Sequence, residues 1–342
     1  MILSLFNKLF FKNYRIQYID ENIIYSTRGR SIYCSNNNGM TWFFLTKVPV
    51  NYLYRISLVF EVSARLFRSD VSHLVAVGNN IIVIFCSGRI YNYDLETKAF
   101  SDNPSKISGS RPLKMCIDIN GTLYYGKYHN NVKREISPIY KSNDAGRNWE
   151  VVFNMSGVRH VHGVFYDKYE NKIWVTTGDS DKESGIWVTA DKFQSLKKII
   201  GGNQASRAVS LIFTQDYIYY GSDTPLQKNY IYRLERGTNI ITKMQEVGSS
   251  VFWGCKVGDS LIFSTAVEPS EINKTRRTEV WLSADGILWR KKLTFCKDFY
   301  SMKYFQYGQV LFPYGENKSE YLWYTPFGTK TRSKSFIYNM NK

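Results

Sequence analysis

The stretch Ser142-Asn143-Asp144-Ala145-Gly146-Arg147-Asn148-Trp149 decides the fold, because related stretches recur along the 342-residue chain. Ser35-Asn36-Asn37-Asn38-Gly39-Met40-Thr41-Trp42 matches it closely, and two degenerate copies begin at Thr189 and Ser283. The copies that begin at 142, 189 and 283 are separated by 47 and 94 residues. A repeat of about 40–50 residues that consists of strands is typical of a β-propeller.

Short apolar runs bounded by Gly, Asn and Asp lie between these copies, and they group in fours. The clearest group comprises 113–118, 122–128, 137–142 and 148–154, and the runs at 161–166, 172–177, 185–189 and 196–200 repeat it. We predict an all-β chain in which residues 14–342 form one propeller of seven four-stranded blades, with six blades as the alternative because the chain ends are ambiguous. Residues 1–13 are predicted to be an N-terminal segment, either amphipathic or a closing strand. The ring would close through this segment or through 335–340, in a blade shared by both chain ends.

The repeated stretch has the residues of a tight turn. An Asp or Asn side chain can accept backbone N–H groups, Gly39 and Gly146 permit a positive φ, and Trp149 can pack between strands. The pattern resembles the Asp-box, or BNR repeat, of sialidase-like β-propellers. This resemblance implies a propeller fold and suggests a carbohydrate-active enzyme. The sialidase catalytic pattern is not clearly matched, since Tyr14-Arg15-Ile16 and Tyr54-Arg55-Ile56 lack the proline of the family's Arg-Ile-Pro signature.

The blade register places the repeated turns between the third and fourth strands, on one face of the propeller. The starts of the first strands and the loops after the second strands lie on the opposite face, where we expect any functional site. The residues there that could act in catalysis are His160, His162, Asp179, Glu135 and Tyr128. The residues there that could bind a substrate are Arg134, Arg159, Arg207, Asp223, Trp253, Glu268 and His129.

These residue types suit an acidic glycan. Arginines can bind a carboxylate through two parallel hydrogen bonds. Hydrolysis needs two carboxyl groups beside the glycosidic bond, whereas elimination needs a His or Tyr base. His160 and His162 alternate along a strand and could share a metal ion, but no third ligand is identifiable in the sequence. We therefore predict neither a metal nor a cofactor.

Composition limits the partners. The net charge of +16 favours an acidic partner, and no nucleic-acid-binding motif is present, so an acidic oligosaccharide or polysaccharide is predicted rather than nucleic acid. The odd number of cysteines, five, without a Cys-x-x-Cys pair argues against a disulfide framework and favours a reducing, cytoplasmic location. Ile2, Leu5, Phe6 and Leu9 would share one helical face near basic residues, so the N-terminal segment either contacts an anionic membrane or packs on the propeller.

The functional prediction is a carbohydrate-active propeller, either a glycoside hydrolase or a polysaccharide lyase, that acts on an acidic glycan around Arg159, His160 and His162. One alternative is a non-catalytic module that binds a glycan or a protein in surface-polysaccharide metabolism. A membrane-associated role in glycosyl transfer is a further alternative. The residues themselves leave the glycan, the linkage and the oligomeric state open.

Overall fold

The computed structural model describes residues 11–12, 15–331 and 334–341 and confirms the predicted fold. Its strands form seven antiparallel sheets, which are the blades of one propeller. First strands of neighbouring blades contact one another around most of the ring, so they surround the central channel. The alternative of six blades is excluded.

Strand order along each sheet follows chain order in blades 1 to 6, with an extra short strand in blade 2. Blade 1 contains Arg15–Ile19, Ile24–Arg28, Ser31–Ser35 and Phe43–Lys47. Blade 2 contains Val71–Val77, Ile81–Cys86, Arg89–Asp94, Ala99–Phe100 and Ser105–Lys106. Blade 3 contains Met115–Ile117, Leu123–Gly126, Ser137–Ser142 and Glu150–Met155. Blade 4 contains Val161–Asp167, Lys172–Thr177, Gly185–Thr189 and Lys197–Gly201. Blade 5 contains Ala208–Phe213, Tyr217–Ser222, Asn229–Glu235 and Ile241–Val247. Blade 6 contains Val251–Val257, Ser260–Thr265, Arg277–Ser283 and Arg290–Cys296.

Blade 7 joins the two ends of the chain. Gln309–Leu311, Tyr321–Phe327 and Lys334–Asn339 form its first three strands, and Phe11–Lys12 is the outermost strand. Phe11 pairs with Ser335 in antiparallel register. The shared blade closes the ring, so the propeller has no open seam between its first and last blades. The N-terminal helical face through Ile2 to Leu9 lies outside the described residues.

The repeated turns join the third strand to the fourth in blades 1, 3, 4 and 6, and they close in the same way in blades 1, 3 and 4. In the shorter copy of blade 6, Asp285 instead accepts the N–H groups of Ile287 and Leu288. In the copy at 142, the Ser142 hydroxyl accepts the N–H of Gly146 at 2.8 Å, and Asp144 accepts that of Asn148 at 2.9 Å. The degenerate copy at 189 repeats both bonds, with Phe193 in place of the glycine at φ 72°. The turn is thus set by the Ser or Thr and the Asp or Asn.

The large apolar residue of each turn packs towards the preceding blade. Trp289 of blade 6 lies against Tyr219 of blade 5, and their ring centroids are 6.2 Å apart. Trp149 of blade 3 contacts Phe85 of blade 2 at 6.2 Å. The turns are therefore part of the contact between blades, which holds the ring together.

Three short helices interrupt the blade pattern at connections from a fourth strand to the next first strand. Tyr52–Ser57 and Glu61–Phe67 lie between blades 1 and 2, and Met302–Phe305 lies between blades 6 and 7. A 3-10 helix at Gln204–Ser206 precedes blade 5. Within the part of the chain that the structure describes, no helix has the length and apolar character needed to cross a bilayer.

Candidate functional site

A cavity of about 390 Å³ opens in the channel on the face where the first strands begin. It lies on the face opposite the repeated turns, as the blade register predicts. Seven of the residues singled out from the sequence line it, namely Tyr128, His162, Asp179, Arg207, Asp223, Trp253 and Glu268.

A β-bulge brings the two histidines of blade 4 together. Val161 pairs with Thr177, but Gly163 pairs with Thr176, so His162 is the extra residue of its strand. Such a bulge re-aims a side chain. The imidazole rings of His160 and His162 are 5.1 Å apart at their centroids.

Backbone carbonyl groups orient both imidazoles. His160 Nδ1 lies 3.0 Å from the carbonyl oxygen of His129, and His162 Nδ1 lies 3.1 Å from that of Ala208. The Nε2 atoms of both rings approach Asp179 Oδ1, at 3.7 Å and 3.6 Å. These three residues are the group among the described residues whose ligand atoms could hold a metal ion.

Asp179 is the centre of this side of the cavity. Its φ of 111° is rare for a residue with a side chain, and such strain often marks a functional position. Arg159 binds its Oδ2 at 2.9 Å, and Arg207 lies 3.2 Å from its Oδ1. Burial opposes ionisation of Asp179, but the two neighbouring imidazoles and the Arg207 guanidinium outweigh burial and hold its pKa below the usual range. Asp179 is therefore a carboxylate at neutral pH.

Gly178 makes room for this arrangement. A Cβ atom at this position would lie 2.5 Å from His162 Cε1 and 2.7 Å from Arg207 Cγ. Only glycine therefore permits the close approach of the imidazole and the guanidinium to the backbone before Asp179.

Two further carboxyl groups, Asp223 and Glu268, line the cavity from blades 5 and 6. Arg207 Nε lies 3.3 Å from Asp223 Oδ2, while the buried Asp223 Oδ1 accepts no hydrogen bond from the described residues. Glu268 accepts a hydrogen bond from Ser250. Burial and the neighbouring Asp223 carboxylate raise the pKa of Glu268 to about 7. A proton donor near neutral pH thus stands beside an incompletely satisfied carboxylate.

The cavity wall formed by blades 1 to 3 and by the helix before blade 7 is basic. Asp70 neutralises part of it, since it pairs with Arg15 at 3.6 Å and with Arg111 at 3.1 Å. Arg68 and Lys303 also line the cavity, and neither forms an ion pair among the described residues. This wall can attract an anionic ligand towards the carboxyl groups on the other side.

Lys114 and Trp253 lie at the floor of the cavity. Lys114 Nζ is 3.0 Å from the centroid of the Trp253 ring, and Trp253 Nε1 donates to Gln309 at 2.9 Å. Burial lowers the pKa of Lys114. Both residues also line a second cavity of about 380 Å³ further along the channel, so they separate the two cavities.

The other predicted residues lie outside the cavity. Arg159 and His160 contact the Asp179 carboxylate but do not line the cavity. Arg134 pairs with Glu183, and Glu135 is exposed. His129 contributes its backbone carbonyl to His160, while its ring nitrogens have no hydrogen-bond partner among the described residues.

Sequence reasoning missed Tyr307, Lys114 and Arg68 as cavity residues. The repeat could have indicated Lys114, because it immediately precedes the first strand of blade 3, as His160 does in blade 4. Arg68 and Tyr307 lie on connections between blades that carry no repeat. Their position at the cavity depends on how those connections fold over the channel.

No family model and no curated protein matches this sequence. Solved structures resemble it in fold. An ancestral GH74 enzyme matches with a TM-score of 0.58 and 12% identity over 96% of this chain and 46% of that chain. The extracellular domain of a putative hybrid two-component system from B. thetaiotaomicron matches with a TM-score of 0.58 and 11% identity over 96% of this chain and 40% of that chain.

A structure from a study of two prolyl endopeptidases matches with a TM-score of 0.59 and 10% identity over 98% of this chain and 51% of that chain. The chain thus spans about half or less of each of these three neighbours. At such identities the likeness shows a β-propeller fold and nothing about activity.

Proposed function

We propose that this propeller is a glycoside hydrolase that acts on an acidic glycan in the cavity on the face opposite the repeated turns. One observation carries the proposal: Glu268 lines the cavity and has a pKa of about 7, raised by burial and by the Asp223 carboxylate. A general acid is most effective when its pKa lies near the working pH.

In this mechanism Glu268 donates its proton to the glycosidic oxygen while the bond from that oxygen to the anomeric carbon breaks. Asp223 stabilises the positive charge that develops on the sugar, because its Oδ1 is buried and accepts no hydrogen bond from the described residues. Water then bonds to the anomeric carbon and gives up a proton to the Glu268 carboxylate, which restores the acid. Ser250 and Arg207 orient Glu268 and Asp223 through the contacts described above.

The preference for an acidic glycan rests on the basic wall. Arg68 and Lys303 line the cavity without an ion pair among the described residues, so they can receive a sugar carboxylate or sulfate. Arg159 and Arg207, which the sequence analysis assigned to this role, instead bind Asp179 and Asp223. We therefore assign them to positioning the acidic side chains.

Elimination is less well supported than hydrolysis. Burial raises the pKa of Tyr128 to about 12, so this phenol is a weak base catalyst at neutral pH. The Nε2 atoms of His160 and His162 both face Asp179 Oδ1, and their Nδ1 atoms face backbone carbonyl groups. None of these three candidate bases is well placed to remove a proton from a uronate ring.

The proposal is tested by incubating the purified chain with a panel of acidic oligosaccharides and measuring new reducing ends. We expect turnover by the wild type, and a loss of about 100-fold or more in kcat for Glu268→Gln and Asp223→Asn. The exposed Glu135→Gln is the matched control and should retain full activity. An unsaturated product would indicate a lyase. Binding without turnover by the wild type would identify a binding module and refute the hydrolase.

A further inference from the structure

His160, His162 and Asp179 converge on a point beside the cavity. One ligand atom from each of the three residues lies within 4.8 Å of the other two. Zinc bonds of 2.0–2.2 Å at tetrahedral angles place neighbouring ligand atoms about 3.3–3.5 Å apart. The observed Nε2 to Oδ1 distances of 3.7 Å and 3.6 Å are close to this separation.

The protonation of the rings leaves these atoms with lone pairs. A backbone carbonyl only accepts hydrogen bonds, so the contacts to His129 and Ala208 place a proton on each Nδ1. A metal-bound imidazole usually donates its other ring N–H to a carbonyl in this way.

Lone pairs that face a carboxylate oxygen repel it unless a cation lies between them. The separations of 3.6 Å and 3.7 Å are too long for good hydrogen bonds. A divalent ion would relieve the repulsion. Arg159 and Arg207 oppose the charge of such an ion, whereas Asp223 favours it, so the affinity should be moderate.

We propose that His160, His162 and Asp179 form a binding site for a divalent transition-metal ion of the zinc, cobalt or iron class. Two imidazoles and one carboxylate suit these ions better than magnesium or calcium, which prefer oxygen ligands alone. His162 and Asp179 line the cavity, so a further coordination position faces it. This site does not depend on the proposed hydrolase activity.

Titration of the chelator-treated full chain with Co²⁺, followed by absorbance, and with Zn²⁺, followed by calorimetry, tests the site. We expect one equivalent to bind and the affinity to fall about 100-fold or more in His162→Ala and in Asp179→Asn. His129→Ala is the control, because it removes a histidine side chain but keeps the backbone carbonyl that contacts His160. Circular dichroism establishes that each variant is folded.

Three results would overturn the metal site. The first is that the wild type binds no stoichiometric Co²⁺ or Zn²⁺ under any of these conditions. The second is that both substitutions at the site leave the metal affinity unchanged. Alternatively, a thiolate-to-cobalt charge-transfer band would assign the bound ion to the cysteines instead.

A separate observation concerns the two helices between blades 1 and 2. Their buried residues are Ser57 in the first helix and Ala64 and Arg65 in the second, whereas large apolar residues face solvent. Leu53 is 76% exposed and Phe60 is 69% exposed. This pattern is the inverse of an ordinary surface helix. The exposed apolar residues, which we term the helical patch, are Tyr52, Leu53, Ile56, Val59, Phe60, Val62, Leu66 and Phe67.

The surroundings of the helical patch are basic. Arg55 and Arg68 are exposed within or next to it, and Lys303 is exposed on the helix that packs against Glu61–Phe67. The one acidic residue between 52 and 68 is Glu61. Exposed aromatic and aliphatic residues beside cations match the chemistry of an anionic bilayer surface.

We also infer that the helical patch docks on an anionic lipid bilayer. Arg68 and Lys303 line the cavity as well, so docking would turn the cavity mouth towards the membrane. A substrate anchored in the same membrane would then reach the cavity without leaving the lipid surface.

Flotation with phosphatidylcholine vesicles, with and without phosphatidylglycerol, tests the docking. We expect binding only to the anionic vesicles, and a loss of about tenfold or more in a Leu53→Ser, Phe60→Ser variant. The matched control is Ile287→Ser, Leu288→Ser, which removes exposed apolar residues from a repeated turn on the opposite face.

Failure of the wild type to float would overturn the docking. So would binding that survives the Leu53 and Phe60 substitutions, because the contact would then lie elsewhere, for example in residues 1–12. A dimer in sedimentation that only the Leu53 and Phe60 substitutions dissociate, without vesicle binding, would assign the patch to a second copy of the chain.

Discussion

The two faces of the propeller use acidic residues in different ways. In the turn at 142, Asp144 accepts the N–H of a residue four positions away, and the set of bonds is complete without a ligand. In the cavity, Asp179 is held by Arg159 and Arg207, which are 20 and 28 residues away. Asp223 keeps one buried oxygen without a partner among the described residues. Local bonds thus build the scaffold, whereas long-range bonds build a site that can still receive a ligand.

The largest effect on stability is expected from a substitution on the face that carries the repeated turns. Trp289→Ala removes a buried ring between blades 5 and 6 and should lower the free energy of unfolding by about 3–5 kcal/mol. Chemical denaturation measures the change, and the exposed neighbour Leu288→Ala is the control. A loss below about 1 kcal/mol would show that the turn residues do not hold the blades together.

The next largest effect is expected from a substitution in the cavity, which should change turnover but not stability. Glu268→Gln should reduce glycan turnover by about 100- to 10,000-fold while the stability at neutral pH changes little. Asp144→Asn in the repeated turn is the matched change and should leave turnover intact. Equal losses in both variants would contradict the division of roles between the two faces.

The cavity carboxyl group of Glu268 should also make stability depend on pH. The pKa of Glu268 is raised from 4.5 to about 7 on folding, so the native state binds more protons than the unfolded state between these values. The free energy of unfolding should therefore fall as pH rises through this window, with a contribution of at most about 1.4 kcal/mol for each pH unit.

Denaturation of wild type and Glu268→Gln at a series of pH values isolates this contribution. The variant should lack this part of the fall, since glutamine does not titrate. An identical pH profile for the two proteins would show that Glu268 titrates normally.

The smallest expected effect tests a single local bond. Asp144→Ala removes an acceptor from a partly exposed turn and should lower the free energy of unfolding by about 1 kcal/mol. Glycan binding should be unchanged, because this turn lies on the face opposite the cavity. A change in glycan affinity without a change in stability would place a ligand on the turn face.

The sequence by itself determined the blade register, because a turn is closed by side chains two to four residues from their partners. Ser142 and Asp144 specify their hydrogen bonds within one short stretch, and the same spacing recurs in the copies at 35 and 189. The register also predicted which face holds His162, Asp179 and Glu268, since strand direction alternates through each blade.

Only the tertiary structure decided which of those side chains meet. The bulge at His162 and the positive φ of Asp179 bring their atoms together, and neither follows from an alternating strand pattern. Arg134 and Glu135 lie on the predicted face but not in the cavity, while Arg68 and Tyr307 reach it from connections that carry no repeat. Contacts across the channel join residues far apart in the chain, so no local pattern encodes them.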